Sequence, residues 1–227
     1  MLNPGEIWQA VWLTLTLAVT VTAILLVVAT PIAWWLARSP ARWKEAVAAI
    51  VALPLVLPPT VLGFYLLIAL GPSGPGGAIA GLWGARTLAF SFPGLVIGSV
   101  IFSLPFMVQP LRNGFESVGE DPLEAAATLG SRAWQTFWRV EVPLARAGYL
   151  TGAVLSFAHT IGEFGVVLMI GGNIPGQTRV LSIAIFNSVE RLDWVGSHVL
   201  SLGMVVFAFV TIMATMLIDK RLGRMAG

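Results

Sequence analysis

Four polar side chains recur at helical spacing within a long apolar stretch of the chain. Ser156, His159, Thr160 and Glu163 stand at positions i, i+3, i+4 and i+7, and residues at this spacing share one face of a helix. His159 and Glu163 could form an ion pair or bind a metal ion, but catalytic zinc sites use three protein ligands. Because a third ligand is missing, we expect no metal site on this face.

The small amount of charge in the chain narrows what such a face can do. Only 11% of the 227 residues are charged and 57% are apolar, and the mean hydropathy is +0.86, whereas about 25% of residues are charged in a soluble domain. This composition excludes a nucleic-acid-binding domain, a disordered chain and a typical soluble enzyme, since it cannot cover a water-exposed surface. The absence of Cys excludes disulfides and thiolate metal sites. The sequence predicts an integral membrane protein.

Five stretches are long and apolar enough to cross a bilayer, which takes about 20 residues. They run from Trp8 to Leu36, Val47 to Leu70, Phe92 to Leu111, Ala147 to Ile170 and Val199 to Ile218. The second is predicted to be interrupted by its three prolines, Pro54, Pro58 and Pro59. The shorter run Val180–Val189 is predicted to be a loop helix. We expect an all-α fold with five transmembrane helices and a single membrane domain over residues 1–227.

The basic residues predict the orientation of these spans. Lys and Arg accumulate in cytoplasmic loops, and ten of the 13 fall in the loop after the first span, the loop between the third and fourth spans, or the C-terminal tail. We therefore expect the N-terminus outside and the C-terminus inside. The ten are Arg38, Arg42, Lys44, Arg112, Arg132, Arg139, Arg146, Lys220, Arg221 and Arg224, and the other three are Arg86, Arg179 and Arg191.

The loop of residues 114–146, on the predicted cytoplasmic side, contains the signals of a short helix. Asp121 can cap its N-terminus, Pro122 suits the first helical position, and Glu124 can reach back to the cap. Gly130 is suited to end it. The helix between them is small and rich in Ala, which suits insertion into a groove on another protein. The alternative is a surface hairpin that only joins two spans.

A second helix is predicted directly after the first. Ser131 can cap it, Trp134, Phe137 and Trp138 fall on one face at i, i+3 and i+4, and Pro143 is expected to stop it. We expect this aromatic face to lie against the membrane interface or the ends of the spans.

The stretch from Glu124 to Pro143 resembles the coupling-loop motif of ABC importer permeases. That motif reads E-A-A, three residues, G, nine residues, I-x-L-P, and it is matched by Glu124-Ala125-Ala126, Gly130 and Val140-Glu141-Val142-Pro143, with Val in place of Ile and of Leu. In this family the short helix docks into a cleft of a separate ATPase subunit. The resemblance implies the type I ABC importer permease fold, a second helix fixed by Pro143, and an ATPase contact made by Glu124, Ala125, Ala126, Leu129 and Gly130.

The same resemblance implies the partners. The sequence has no G-x-x-x-x-G-K-[ST] phosphate loop, so the chain cannot bind ATP by that device. ATP and Mg²⁺ are expected on a partner chain, with no cofactor and no enzymatic activity in this one. The resemblance implies a homodimer that is surrounded by membrane lipid and has the pathway between its subunits. It also implies two ABC ATPase subunits on the coupling helices and an external molybdate-binding protein.

Further stretches narrow the substrate. Leu53–Pro59, followed by Val61 and Gly63, resembles the second core helix of oxyanion permeases. Gly162-Glu163-Phe164-Gly165, followed by Gly172–Arg179, resembles the molybdate permease branch. The resemblance implies a molybdate importer of a prokaryotic inner membrane, and sulfate, thiosulfate and tungstate permeases are the close alternatives. A secondary transporter is the alternative of another class, but the internal repeats that mark many of them are not visible.

The polar face on the fourth span then has two interpretations. A charged residue within a span costs about 2.5–3.5 kcal/mol on insertion scales, so it usually faces protein or water. Ser156, His159, Thr160 and Glu163 either line the translocation route, or they join this span to its neighbours through a His159–Glu163 pair. The sequence leaves both open.

Overall fold

The computed structural model describes residues 4–224, and every regular element in that range is helical. The side chains of Lys220, Arg221 and Arg224, which enter the charge count, lie outside the described part, as do residues 1–3 and 225–227. A single domain over the full chain therefore stays a prediction. In chain order the helices are α1 (Pro4–Arg38), α2 (Lys44–Val56), α3 (Pro59–Leu70), α4 (Pro75–Gly81), α5 (Phe92–Ser117), α6 (Asp121–Thr128), α7 (Ala133–Thr136), α8 (Val142–Leu144), α9 (Arg146–Gly162), α10 (Gly165–Gly171), α11 (Leu181–Glu190) and α12 (Trp194–Arg224), with a π-helical turn (Phe137–Glu141) between α7 and α8.

All five predicted spans are helical, but two of them are broken. Among the described residues, α1, α5 and the Trp194–Met213 part of α12 are each long and apolar enough to cross a membrane alone. The pairs α2–α3 and α9–α10 meet that requirement only together, and they bend by 110° and 61° at their breaks. Counting each pair once gives the five predicted spans. The predicted loop helix is also present, as α11.

Two adjacent prolines cause the sharper break. A residue that precedes proline is pushed out of the α region, and both Leu57 (ψ 135°) and Pro58 (ψ 136°) are extended. Pro59 then starts α3, where its missing N–H costs no hydrogen bond. Pro54 lies inside α2 without breaking it, so the prediction that prolines interrupt this span holds only for the Pro58–Pro59 pair.

The core lies where α1 packs along α5 and α9. One face of α1 is completely buried at every fourth residue, whereas Val19 and Val27 on the other face are exposed. The α5–α9 contact is close because small residues lie at it, as in many membrane helix pairs. A Cβ on Gly148 would lie 2.5 Å from the carbonyl oxygen of Pro110. The buried face of α1 consists of Leu17, Val21, Leu25, Ala29 and Ala33.

Large apolar side chains cover much of the outer surface. Phe64, Tyr65 and Ile68 of α3 are exposed, as are most described side chains of α12. An exposed apolar area of this extent is rare on soluble monomers and marks contact with membrane or protein.

Candidate functional site

The helix α6 is the short helix that the coupling-loop motif predicts, and it begins one residue earlier than expected. Asp121 is its first residue, and Glu120 occupies the N-cap position without a side-chain capping bond. The prediction that Asp121 caps the helix, with Glu124 reaching back, is therefore wrong. The carboxylate of Glu120 instead pairs with Arg38, at 3.4 Å. Asp121 and Glu124 lie in the first turn, where the helix dipole favours negative charge.

The end of α6 is as predicted. Gly130 has φ +73°, a conformation that glycine adopts at little cost. The amide of Gly130 donates to the carbonyl of Ala127 (2.9 Å), and that of Ser131 donates to Ala126 (3.0 Å). These two bonds form a Schellman motif, so Gly130 terminates the helix and turns the chain away from it.

The predicted contact residues of α6 do not all face outwards. Leu129 is 87% exposed, and Glu124, Ala125 and Gly130 are exposed too. Ala126 is only 8% exposed and is turned towards the rest of the chain. Not every predicted contact residue is therefore accessible to a partner. The ATPase contact itself stays a prediction.

The second helix of the coupling loop (residues 114–146) differs from its prediction at its start. It begins after Arg132, whose backbone is extended (ψ 151°) and whose amide donates to Oε1 of Gln135 (3.2 Å). Ser131 is therefore not its cap, and its hydroxyl accepts a hydrogen bond from the hydroxyl of Thr136 (3.1 Å). Gln135 thus accepts from the amide of the residue that precedes the helix.

The second helix also ends differently. After the four residues of α7 the chain widens into the π-helical turn, in which the amide of Val142 donates to the carbonyl of Phe137. The prediction that Pro143 stops the helix is wrong. Pro143 lies in the first turn of α8, which continues to Leu144. Proline is common at the first positions of a helix because its fixed φ suits them.

The aromatic residues of this segment divide between two surroundings. Phe137 packs against Trp34 of α1, with ring centroids 5.6 Å apart, and against Phe115 of α5, at 6.1 Å. Trp134 and Trp138 are exposed. The expectation that the aromatic face lies against the ends of the spans is met by Phe137.

A buried carboxylate lies beneath the coupling loop. Glu141 is 5% exposed, and its two oxygens accept hydrogen bonds from Nε1 of Trp34 at 3.1 and 3.2 Å. Nε of Arg38 donates to Oε2 of Glu141 at 2.9 Å. Sequence reasoning missed this residue, because the motif leaves its position open. The available signal was an acidic residue placed between two valines.

The polar face of α9 is turned towards α5. Nδ1 of His159 lies 2.9 Å from the hydroxyl of Ser103, which lies 3.2 Å from that of Thr160. The His159 ring stacks on Phe106, with centroids 4.0 Å apart. Ser156 is completely buried. Within one copy of the chain, this face joins two spans, and its place in a translocation route stays a prediction.

Glu163 lies at the break between α9 and α10. Its Oε1 accepts a hydrogen bond from the amide of Val166 (2.7 Å), so the carboxylate caps α10. Its backbone carbonyl accepts from the hydroxyl of Ser182 in α11 (2.6 Å). The proposed His159–Glu163 pair is not formed, because each side chain has another partner.

A polar cavity of about 540 Å³ lies between α2 and α5, near the coupling loop. Gln109 and Asn113 are exposed at its wall. Arg112 pairs with Glu116 at 2.8 Å and lies 3.8 Å from Glu45. Sequence reasoning counted Arg112 only for orientation and missed the two amides, although their i, i+4 spacing was visible.

Comparison with known proteins identifies the family. The family described as "Binding-protein-dependent transport system inner membrane component" matches residues 29–224. The chain belongs to this family. It is accordingly a multi-pass bacterial inner membrane protein, in agreement with its apolar helices.

The chain is similar to permease proteins of molybdenum and sulfate transport systems. The chain is 58% identical over 205 residues to the molybdenum transport system permease protein ModB of Azotobacter vinelandii, covering 90% of this chain and 91% of that protein. It is 36% identical over 183 residues to ModB of Escherichia coli K12, covering 81% and 80%. It is 29% identical over 223 residues to the sulfate transport system permease protein CysW of Synechococcus elongatus, covering 98% and 78%.

Solved structures confirm the type I ABC importer permease fold of this inner membrane component. A bacterial ABC transporter that imports the acidic polysaccharide alginate aligns with a TM-score of 0.76 at 17% identity, over 96% of this chain and 80% of that chain. The inward-facing MetNI methionine ABC transporter aligns with a TM-score of 0.72 at 15% identity, over 97% and 99%. At identities this low, the structural similarity supports the fold alone.

Proposed function

We propose that this chain is the membrane permease subunit of an ATP-driven ABC importer that moves molybdate into the cell. The observation that carries the proposal is α6, a short helix closed by Gly130 that exposes Leu129 and Glu124 in a chain 58% identical to ModB of Azotobacter vinelandii. An exposed leucine on a small helix suits docking into a cleft.

The proposed orientation places the coupling loop in the cytoplasm and the N-terminus outside. The distribution of Lys and Arg supports this arrangement, since basic loops stay on the cytoplasmic side. Two ABC ATPase subunits then reach the coupling loops, and an external binding protein delivers the oxyanion to the opposite end. ATP and Mg²⁺ bind to those ATPase subunits. This chain therefore works without a cofactor and without an enzymatic step of its own.

Two copies of the chain form the proposed transport unit, with the pathway between them. The exposed amides of Gln109 and Asn113 support this arrangement, because a second copy could enclose them as part of a polar route. Of the predicted pathway face, only His159 is partly exposed. We propose that His159 lines the route, whereas Ser156 is completely buried, Thr160 contacts Ser103 of α5 and Glu163 caps α10. The apolar outer surface of α12 contacts lipid.

Coupling follows from two alternating states. Closure of the ATPases brings the coupling helices together and opens the outer side, and hydrolysis restores the inward-facing state. The free energy for this change comes from contacts that differ between the two states.

Reconstitution tests the function and its substrate. Proteoliposomes would contain the permease with its ATPase subunits, and the cognate binding protein would be loaded with molybdate, tungstate or sulfate. We expect ATP-dependent uptake and stimulated hydrolysis with molybdate. Stimulation by sulfate alone would contradict the substrate, and uptake driven by an ion gradient without ATP would favour a secondary transporter.

A further inference from the structure

We propose that Glu141 is a positioning residue that fixes the coupling loop to the end of α1, so that displacement of α6 is delivered to α1. The inference rests on the proposed function and assigns a role to a residue that the coupling-loop motif leaves open. Glu141 acts through Arg38 and Trp34 and contacts neither substrate nor nucleotide.

The Glu141 carboxylate accepts hydrogen bonds from two side chains in the last turns of α1. Trp34 and Arg38 are four residues apart in α1, and both donate to the Glu141 carboxylate, at 3.1 Å and 2.9 Å. Arg38 is the last residue of α1. The carboxylate thus attaches the segment that follows α7 to the end of a 35-residue helix.

Arg38 extends this attachment to two further parts of the chain. Its Nη2 donates to the backbone carbonyl of Phe115 in α5 at 3.0 Å, and its Nη1 lies 3.4 Å from Oε1 of Glu120. Glu120 directly precedes α6, and Glu141 follows α7. One guanidinium therefore joins both ends of the helical part of the coupling loop to α1 and α5, because its planar fork holds several acceptors at once.

Burial makes this junction rigid. The Arg38–Glu141 pair is enclosed, with Glu141 5% exposed, and removal of one partner would leave the other charge buried without compensation. The Arg38–Glu120 pair is weaker, because Glu120 is exposed and water screens exposed ion pairs, so the buried Arg38–Glu141 pair carries the attachment. The junction is therefore either fully formed or lost, which is what transmission between two states needs.

Without the junction, the loop could absorb a displacement of α6. Gly119 (φ +70°) and Gly130 (φ +73°) stand on either side of that helix, and glycines in this conformation mark points where the chain turns. With the junction formed, the movement passes into α1. At the opposite end of α1, the Thr14 hydroxyl accepts a hydrogen bond from the amide of Leu181 at the start of α11 (2.8 Å), so α1 connects both ends of the bundle.

The test compares uptake with hydrolysis in the reconstituted complex. The variants are E141Q, which keeps shape but removes charge, and R38M/E141M, which replaces the buried pair by apolar groups that such sites often tolerate. The control is E6Q, which alters the Glu6–Arg179 pair near the opposite end of α1. We expect both test variants to assemble and hydrolyse ATP near the wild-type rate, with molybdate uptake per ATP lowered about tenfold, and E6Q to match the wild type.

The outcomes distinguish a failure of the proposed function from a failure of the role assigned to Glu141. If the wild-type complex shows no ATP-dependent uptake, the proposed function fails. If the wild type transports and both test variants keep its ratio of uptake to hydrolysis, the role of Glu141 is refuted. If E141Q does not assemble, R38M/E141M decides, and failure of both to assemble would assign the junction to folding and overturn the proposal.

Discussion

The hydroxyl oxygen of Ser103 lies 2.9 Å from Nδ1 of His159 and 3.2 Å from the hydroxyl of Thr160. One serine on α5 therefore joins the two polar groups that α9 brings towards it. Buried polar groups are costly unless they are hydrogen-bonded. This contact explains how His159 and Thr160 are accommodated in an apolar span.

Substitution of Ser103 by Ala should destabilise the chain. The change leaves the Nδ1 of His159 without its serine partner and deprives Thr160 of one contact, and an unsatisfied buried group costs about 1–3 kcal/mol. Thermal unfolding in detergent would measure the effect as a lower midpoint. S117A is the matched control, because the exposed hydroxyl of Ser117 donates only to the carbonyl of Gly114. Equal midpoints for S103A and S117A would show that the Ser103 contact does not stabilise the fold.

Gly130 should be sensitive to any other residue. Its φ of +73° costs a non-glycine residue about 1–2 kcal/mol, and proline would also remove the amide that donates to Ala127. We expect G130A to weaken coupling and G130P to separate ATP hydrolysis from uptake, with membrane insertion intact because α6 lies outside the spans. Uptake per ATP in proteoliposomes measures this. In G81A, the control, the added Cβ likewise meets open space, but the backbone has no positive φ. Uptake that survives G130P would refute the role of α6.

Reversal of charge at Glu124 should affect the partner more than the fold. Glu124 is exposed in the first turn of α6, so E124K should change stability by about 0.3–1 kcal/mol through the helix dipole. Uptake should fall about tenfold, which equals about 1.4 kcal/mol. E190K makes the same change on an exposed residue of α11. If E124K and E190K gave the same uptake, Glu124 would not belong to the docking surface.

Features that depend on the backbone of a single residue were predictable from the sequence. Gly130 ends a helix because glycine tolerates a positive φ, and Pro59 begins one because proline fixes φ at a helical value. The break at Glu163 was not predictable, since its carboxylate acts as a cap only once α9 has ended and α10 has begun. Glu141 was missed because its partners Trp34 and Arg38 are 107 and 103 residues away. Such contacts follow from the packing of α1 against the loop, which no local pattern contains.

Leu129 offers the sharpest test of the docking surface. It is 87% exposed at the end of α6, and Leu82, 83% exposed at the end of α4, is its counterpart at the other end of the bundle. Neither side chain contributes to the core, so L129A and L82A should unfold like the wild type. Burial of a leucine against a partner is worth about 1.5–3 kcal/mol, so L129A should weaken ATPase binding about 10- to 150-fold. Titration of the ATPase subunits onto permease in nanodiscs measures this affinity, and L82A should leave it unchanged. Equal affinities for L129A and the wild type would place the ATPase contact elsewhere than on the exposed end of α6.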